Sequence, residues 1–288
     1  MWSETFDRAA DSYDDRPLRF FDLGAEALVR AAELRPGQRV LDVATGTGKV
    51  AALVATVVGR SGSVAAIDGS AEMLAHARAN LSETGVGLAR MDAGRLAIRD
   101  RSLDASTCGF GIAFFRPPVA AMREMARVLV PGGRVALSTP AQGAFQPQLD
   151  VLFDVLEGAG RPRPEAGRAV SDLDRPEGVD RLLARAGFID RRILCVEISY
   201  HLDPPDGFWA VIRGTAWRSL LRGLAPETVV SIRRELLDRL SARGLSTLSV
   251  PTIVATASTP ASTADRLRSF RDAMMRPAIA GLAREPGP

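Results

Sequence analysis

The chain has 288 residues, 46% apolar and 25% charged, enough to build one large core or two small ones without disulfide or metal staples. Cys108 and Cys195 lie far apart without metal-ligand spacing, no apolar run approaches the ~20 residues of a membrane span, and the opening MWSETFDRAADSYD carries no leader pattern, which together point to a reducing, cytoplasmic setting. The net charge is +3, Lys49 is the single lysine, and the arginines alternate with acids, which argues against a nucleic-acid interface.

Along the first 145 residues, strand-like and helix-like stretches alternate, as in a parallel sheet wrapped by helices. Residues 18–34 have helical apolar spacing and stop near Pro36-Gly37. RVLDV (39–43) is a first strand, 47–58 a helix, SVAAID (63–68) a second strand and 71–81 a helix. Residues 86–91 and 103–108 are strands three and four. A helix over 119–129 ends at Pro131-Gly132-Gly133, and RVALST (134–139) is strand five.

Beyond Thr139 the alternation loosens. Residues 145–156 read as a helix, and a proline- and charge-rich link over 161–178 leads to a short helix, VDRLLARAGF. RRILCVEISY (191–200) and VPTIVATA (250–257) are two late strands, separated by helical stretches over 207–221 and 226–242. The segments 140–177 and 203–249 are therefore expected to form a lid on one domain spanning 1–288. The tail, 260–288, holds an amphipathic helix over 264–282 that could pack on a second copy of the chain.

The densest local signal is VLDVATGTGKVA (40–51). A strand carrying Asp42 turns through Gly46 and Gly48 into a helix whose N-terminus faces the same spot, a loop suited to a nucleotide-like or zwitterionic ligand. Asp68, 20 residues after Gly48, can accept from ribose hydroxyls, although IDGSAEML also reads as a helix start with a cap. Gly46-x-Gly48-x-x-Ala51 satisfies a relaxed dinucleotide fingerprint, so a nicotinamide-dependent oxidoreductase is the rival reading. Asp42 weighs against it, because a pyrophosphate would meet a negative charge inside the turn. Asp92-Ala93, closing strand three, and an antiparallel addition from the late strands also favour a ligand without phosphates.

VLDVATGTG, the downstream Asp68, the MDA segment and SLDASTCGFGI...REMARVLVPGGRVALSTP resemble the class I S-adenosylmethionine-dependent methyltransferases, within them the quinone-biosynthesis C-methyltransferase type. The resemblance covers about residues 5–140 and, less fully, 178–198. It implies an α/β fold, a Rossmann-like seven-strand sheet with helices on both faces and a helical lid, using S-adenosyl-L-methionine to methylate a small organic acceptor in secondary metabolism. A protein of this fold that binds the cofactor without transferring methyl is a further alternative. The resemblance places Asp42, Ala44, Gly46 and Gly48 around the methionine end and Asp68 on the ribose, with Gly69 alongside. Met73 packs near the adenine, Asp92 and the Ala93 N–H read its edge, and Gly109, Phe110 and Gly111 line the sulfonium. Tyr13 matches a tyrosine that closes over the cofactor. At Ala44 many relatives have glycine.

The acceptor side carries fewer signals. Of the two histidines, His76 reads as a surface residue, while His201 stands at a strand end where the late insertion begins. His201 is thus the candidate general base, against an ordinary strand-end role. Phe110, Phe114, Phe115, Phe145, Phe208, Trp209 and Trp217 gather near the same mouth, as a pocket for a flat acceptor or as core beneath the lid. The sequence has no metal-binding pattern.

Overall fold

The computed structural model describes residues 2–163, 171–202 and 206–261. Its strands are β1 (Arg39–Val43), β2 (Ser63–Asp68), β3 (Gly87–Arg90), β4 (Leu103–Gly109), β5 (Leu129–Pro140), β6 (Ile189–Val196), β7 (Ser199–His201), β8 (Thr247–Ser249) and β9 (Thr252–Ser258). Its helices are α1 (Trp2–Tyr13), α2 (Phe20–Ala32), α3 (Lys49–Val58), α4 (Ala71–Asn80), α5 (Pro118–Val128), α6 (Gln148–Gly158), α7 (Pro176–Arg185), α8 (Gly207–Gly214) and α9 (Pro226–Ala242).

Among the described residues, seven strands form one sheet in the order β3-β2-β1-β4-β5-β9-β6. The pairings from β3 to β5 are parallel, and β9 runs antiparallel between β5 and β6. Successive residues of the central strands serve opposite faces. Val40, Val64, Ala66 and Ala105 pack with Leu28 of α2 and Val54 of α3. Leu41, Val43, Ile67 and Leu137 pack with Met122 and Met125 of α5 and Leu183 of α7. Burial on both faces is why these strands read as nearly continuous apolar runs.

A third core lies over the end of the sheet. It joins Phe145, Leu149 and Leu152 to Phe208, Ile212, Leu236 and Leu248, and takes in Leu18 and Phe20 from the entry to α2. The two stretches expected to be inserted helices thus share one apolar interior, with α6 against α9.

Four features depart from the sequence reading. Strand β5 already begins at Leu129 and runs, with a break in register, through the Pro131-Gly132-Gly133 stretch that was expected to follow a helix ending at residue 129. The stretch 191–200 is two strands: β6 ends at Val196, and β7 pairs with β8 in a separate ribbon, Tyr200 opposite Leu248. The stretch 207–221 divides into α8 and a 3-10 turn (Ala216–Leu221) at Thr215. And α1 is a 12-residue helix in a stretch to which no element was assigned from the sequence. The tail helix expected over 264–282 lies outside the described residues.

Candidate cofactor site

The residues singled out around the glycine loop converge at the carboxyl ends of β1 to β4, where an open α/β sheet places its ligands. Asp42 is fully buried near the end of β1. Its Oδ1 accepts from Thr107 Oγ1 of β4 at 2.7 Å, and its Oδ2 has no partner. Burial pushes its pKa up to about 6, against the pull of neighbouring hydroxyls. The chain then passes Ala44 at φ +55°, Gly46 at +56° and Gly48 at +94° before entering α3. Glycine tolerates this left-handed geometry, whereas at Ala44 it is a strained choice.

Asp68 at the end of β2 faces the same loop. Its two oxygens accept from Gly46 N and Ser70 N, each at 2.9 Å. The N-cap of α4 is Ser70, whose Oγ accepts from Met73 N at 3.1 Å, so the helix start seen in IDGSAEML belongs to the serine. Burial is the main influence raising the Asp68 pKa. Gly69 is exposed beside it, and its carbonyl accepts from Arg90 Nε at 2.9 Å. Met91 N donates to Asp68 O, which brings the neighbouring Asp92 and Ala93 to the end of the second strand. Asp92 is exposed and accepts from Gly94 N at 2.8 Å, while Ala93 is half-buried.

On the other side of β1, β4 ends at Gly109, followed by Phe110 and Gly111. Phe110 is held at φ +55°, its N–H donating to Ser138 O and Oγ at 3.1 and 3.2 Å. Its ring meets Phe20 and Phe21 edge-on, at centroid distances of 5.9 and 5.6 Å.

Helix α1 crosses this group. The Tyr13 ring stacks on Phe21 at 4.3 Å and lies over Gly46, where an added Cβ would come 3.6 Å from it. Burial and the surrounding carboxylates of Asp68, Asp14 and Asp22 hold the Tyr13 hydroxyl protonated. Met73 is buried against Ala9 and Ala10 of the same helix.

His201 is not brought to this group. It is exposed on β7, and alternation along the strand sends the buried neighbour Tyr200 inward instead. Tyr200 Oη donates to Pro17 O at 2.6 Å and accepts from Phe20 N at 3.3 Å, a tie between ribbon and α2 that the sequence did not reveal. The aromatic residues divide. Phe110, Phe145 and Trp217 join the third core, whereas Phe114 packs with Trp2 and Phe6 of α1 at 5.1 and 4.8 Å. Among the described residues no cluster of three metal-ligating side chains occurs, and no helix is long and apolar enough to cross a membrane.

A methyltransferase domain family model matches residues 40–133. The aklanonic acid methyltransferase of Streptomyces sp. strain C5 is 30% identical over 199 residues, 65% of this chain and 90% of that protein. The chain belongs to the class I S-adenosylmethionine-dependent methyltransferases. The demethylmenaquinone methyltransferase of Beutenbergia cavernae is 34% identical over 201 residues, 62% of this chain and 82% of that one. The nocamycin O-methyltransferase of Saccharothrix syringae is 28% identical over 255 residues, 82% and 90% of the two chains. Among solved structures, an S-adenosylmethionine-dependent methyltransferase from Thermotoga maritima covers 90% of this chain and all of its own, with a TM-score of 0.53 and 17% identity. These sequence relatives set aside the dinucleotide reading of the glycine loop.

Proposed function

We propose that this methyltransferase acts on a small organic acceptor of secondary metabolism, of the kind named for its relatives (aklanonic acid and nocamycin), held between the lid core and the ends of β1 and β4. Bound S-adenosylmethionine supplies a methyl group on a positively charged sulfur, already activated for in-line displacement. The chain has to hold and align the reactants, which alone can account for several orders of magnitude in rate.

The observation that carries the site assignment is Asp42 Oδ2, a buried acceptor without a donor. Such an atom costs stability unless a ligand satisfies it, and an ammonium group does so with charge as well as hydrogen bonds. Asp42 therefore takes the methionine ammonium, with Ala44, Gly46 and Gly48 presenting backbone around it. Asp68 takes the ribose hydroxyls with the lone pairs its two amide bonds leave, and Gly69 leaves room beside it. Met73, Asp92 and the Ala93 N–H serve the adenine. Gly109, Phe110 and Gly111 line the sulfonium end, and Tyr13 closes the cleft.

The described parts of the lid segments, residues 140–163, 171–177 and 206–249, exclude water from the acceptor. No base is assigned, since exposed His201 lacks a geometric argument for that role. The protein works in the cytoplasm on small molecules and not on nucleic acid, and the amphipathic sequence of 260–288 is suited to a homodimer contact. Calorimetry tests the assignment. S-adenosylhomocysteine should bind and nicotinamide dinucleotides should not, and Asp42→Asn should weaken that binding. Undiminished affinity in the variant overturns the role given to Asp42.

A further inference from the structure

Several arginines of this surface stand opposite an acid: Arg39 with Asp104, Arg127 with Glu124, Arg134 with Glu33 and Arg191 with Asp180. Where α1, α8 and the Ala216–Leu221 turn meet, the pattern changes. Arg8 is exposed on α1, Arg213 is exposed in the last turn of α8, and Arg218 is half-buried in the turn. The three elements pack on one another. At Gly214, the last residue of α8, an added Cβ would lie 2.6 Å from Ser12 O of α1. Arg218 Nη1 donates to Arg213 O at 3.4 Å. Burial lowers the Arg218 pKa, and the charges of Arg213 and Arg8 lower it further, against the pull of Asp11. Asp11 is shared, since it also meets His76 Nε2 at 3.3 Å. Like charges gathered this way cost free energy that a bound anion recovers.

Arg213 also borders a cleft of about 410 Å³ between α8, α9 and the entry to α2. Pro17, Trp209 and Ala210 supply its apolar lining. Of the two acids that border it, Asp206 is tied to Arg233 at 2.7 Å, whereas Asp15 is exposed and can accept from a hydroxyl. A cationic corner thus opens onto a cavity with an apolar wall, an arrangement that suits a molecule with an anionic head and an organic body.

We propose that this corner is a binding site for a small organic phosphate, its phosphoryl group held by Arg8, Arg213 and Arg218 and its body lying in the cleft against Pro17, Trp209 and Ala210. Three guanidiniums arriving from three elements match the three terminal oxygens and double charge of a phosphoryl group. A carboxylate would occupy a single guanidinium fork. None of these residues belongs to the cofactor set, so the site is independent of that assignment.

Calorimetry on the full chain at low ionic strength tests it, with phenyl phosphate, inorganic phosphate and phenol as probes. Phenyl phosphate should bind about tenfold or more tightly than either of the others, and added salt should weaken it. Arg213→Gln combined with Arg218→Gln should weaken both phosphates by about tenfold or more, the scale of one lost charge-assisted bond. Ala210→Leu fills the cleft and spares the arginines, so it should weaken phenyl phosphate and leave inorganic phosphate unchanged. A parental melting temperature in each variant separates these losses from unfolding. If the double variant does not fold, Arg8→Gln, at an exposed helix position, must weaken both phosphates by itself. Equal binding of phenol and phenyl phosphate, or parental phosphate binding in the arginine variants, overturns the site. A short DNA duplex that binds more tightly than phenyl phosphate would make the patch a nucleic-acid surface and equally overturns it.

Discussion

Thr107 Oγ1 donates to Asp42 Oδ1 over 2.7 Å, joining adjacent strands β4 and β1 beneath the glycine loop. The bond satisfies half of a carboxylate whose other oxygen is buried without a partner. Burial raises the Asp42 pKa to about 6, whereas in the unfolded chain it stays near the ordinary ~3.9. Between about pH 4 and 6 the native state therefore binds the additional proton. Ionising Asp42 removes stability as pH rises through that window, and the loss is complete above it. Asp42→Asn, which cannot ionise, is expected to gain about 1–3 kcal/mol at pH 7.5 relative to the parent, and to lose that advantage by pH 4. Denaturant titrations at the two pH values measure the difference.

The same carboxylate makes cofactor binding pH-dependent, with the opposite sense. An ammonium ligand needs Asp42 ionised, so affinity for S-adenosylhomocysteine should fall as pH drops from 7.5 through 6 toward 5. In Asp42→Asn the affinity should be weaker by about 1.5–3 kcal/mol at pH 7.5, the scale of a hydrogen bond to a charged group, and nearly flat with pH. Calorimetry across this range checks both, and a flat profile in the parent would place the ammonium elsewhere.

Asp68 does two things at once. Its bonds to Gly46 N and Ser70 N fix the glycine loop against the start of α4 before any ligand contact is counted. Asp68→Ala should therefore lower stability by about 1–2 kcal/mol as well as weaken S-adenosylhomocysteine binding by about 1.5–3 kcal/mol. Asp68→Asn keeps one acceptor oxygen and should fall between the two in both assays. A variant that loses stability but keeps full affinity would limit Asp68 to bracing the loop.

The strands were legible because the sheet is buried on both faces. RVLDV and SVAAID are nearly continuous apolar runs that carry Asp42 next to the end of one and Asp68 at the end of the other, and their bounds agree with β1 and β2. The stretch over Pro226–Ala242 was equally plain, with proline at its start and helical spacing throughout. Helix α1 was passed over although Trp2, Phe6, Ala9, Ala10 and Tyr13 recur at helical spacing, because the stretch is short and its fully buried positions are the small residues Thr5, Ala9, Ala10 and Ser12. Strands β7 and β8 have three residues each, too few for alternation to register. That shortness also hid which neighbour points inward, so His201 drew notice and Tyr200 did not.

Tyr200 and His201 give a paired test of that inward direction. Tyr200→Phe deletes a hydroxyl that serves both Pro17 O and Phe20 N in a buried setting. A loss of about 1–3 kcal/mol is expected, since two backbone groups are left short of a partner. His201→Ala touches an exposed side chain and should stay within about 0.5 kcal/mol of the parent, with kcat unchanged. A steep loss of kcat in His201→Ala, with stability intact, would restore the histidine as a base.

The last prediction concerns Gly24 of α2 and the Phe110 ring. A Cβ built at Gly24 would lie 2.4 Å from Phe110 Cε2 and 2.7 Å from Cζ, far inside contact distance. The ring has little freedom to retreat. Its backbone is held at φ +55° by Ser138, and Phe20 and Phe21 stand edge-on against it. Gly24→Ala ought to favour the helix by up to about 1 kcal/mol, because alanine restricts the unfolded chain. Overpacking costs about 1–3 kcal/mol and should prevail, for a net loss of about 1–2 kcal/mol. Displacing Phe110 also disturbs the loop after β4, so kcat/KM should fall along with stability. Phe110→Ala alone should cost about 3–5 kcal/mol through the cavity it leaves. In that background the clash is gone, so Gly24→Ala should become neutral or stabilising. The four proteins of this double-mutant cycle, compared by denaturant unfolding, measure the coupling directly. An equal cost of Gly24→Ala with and without the Phe110 ring would show that the glycine is required for some other reason than the approach of this side chain.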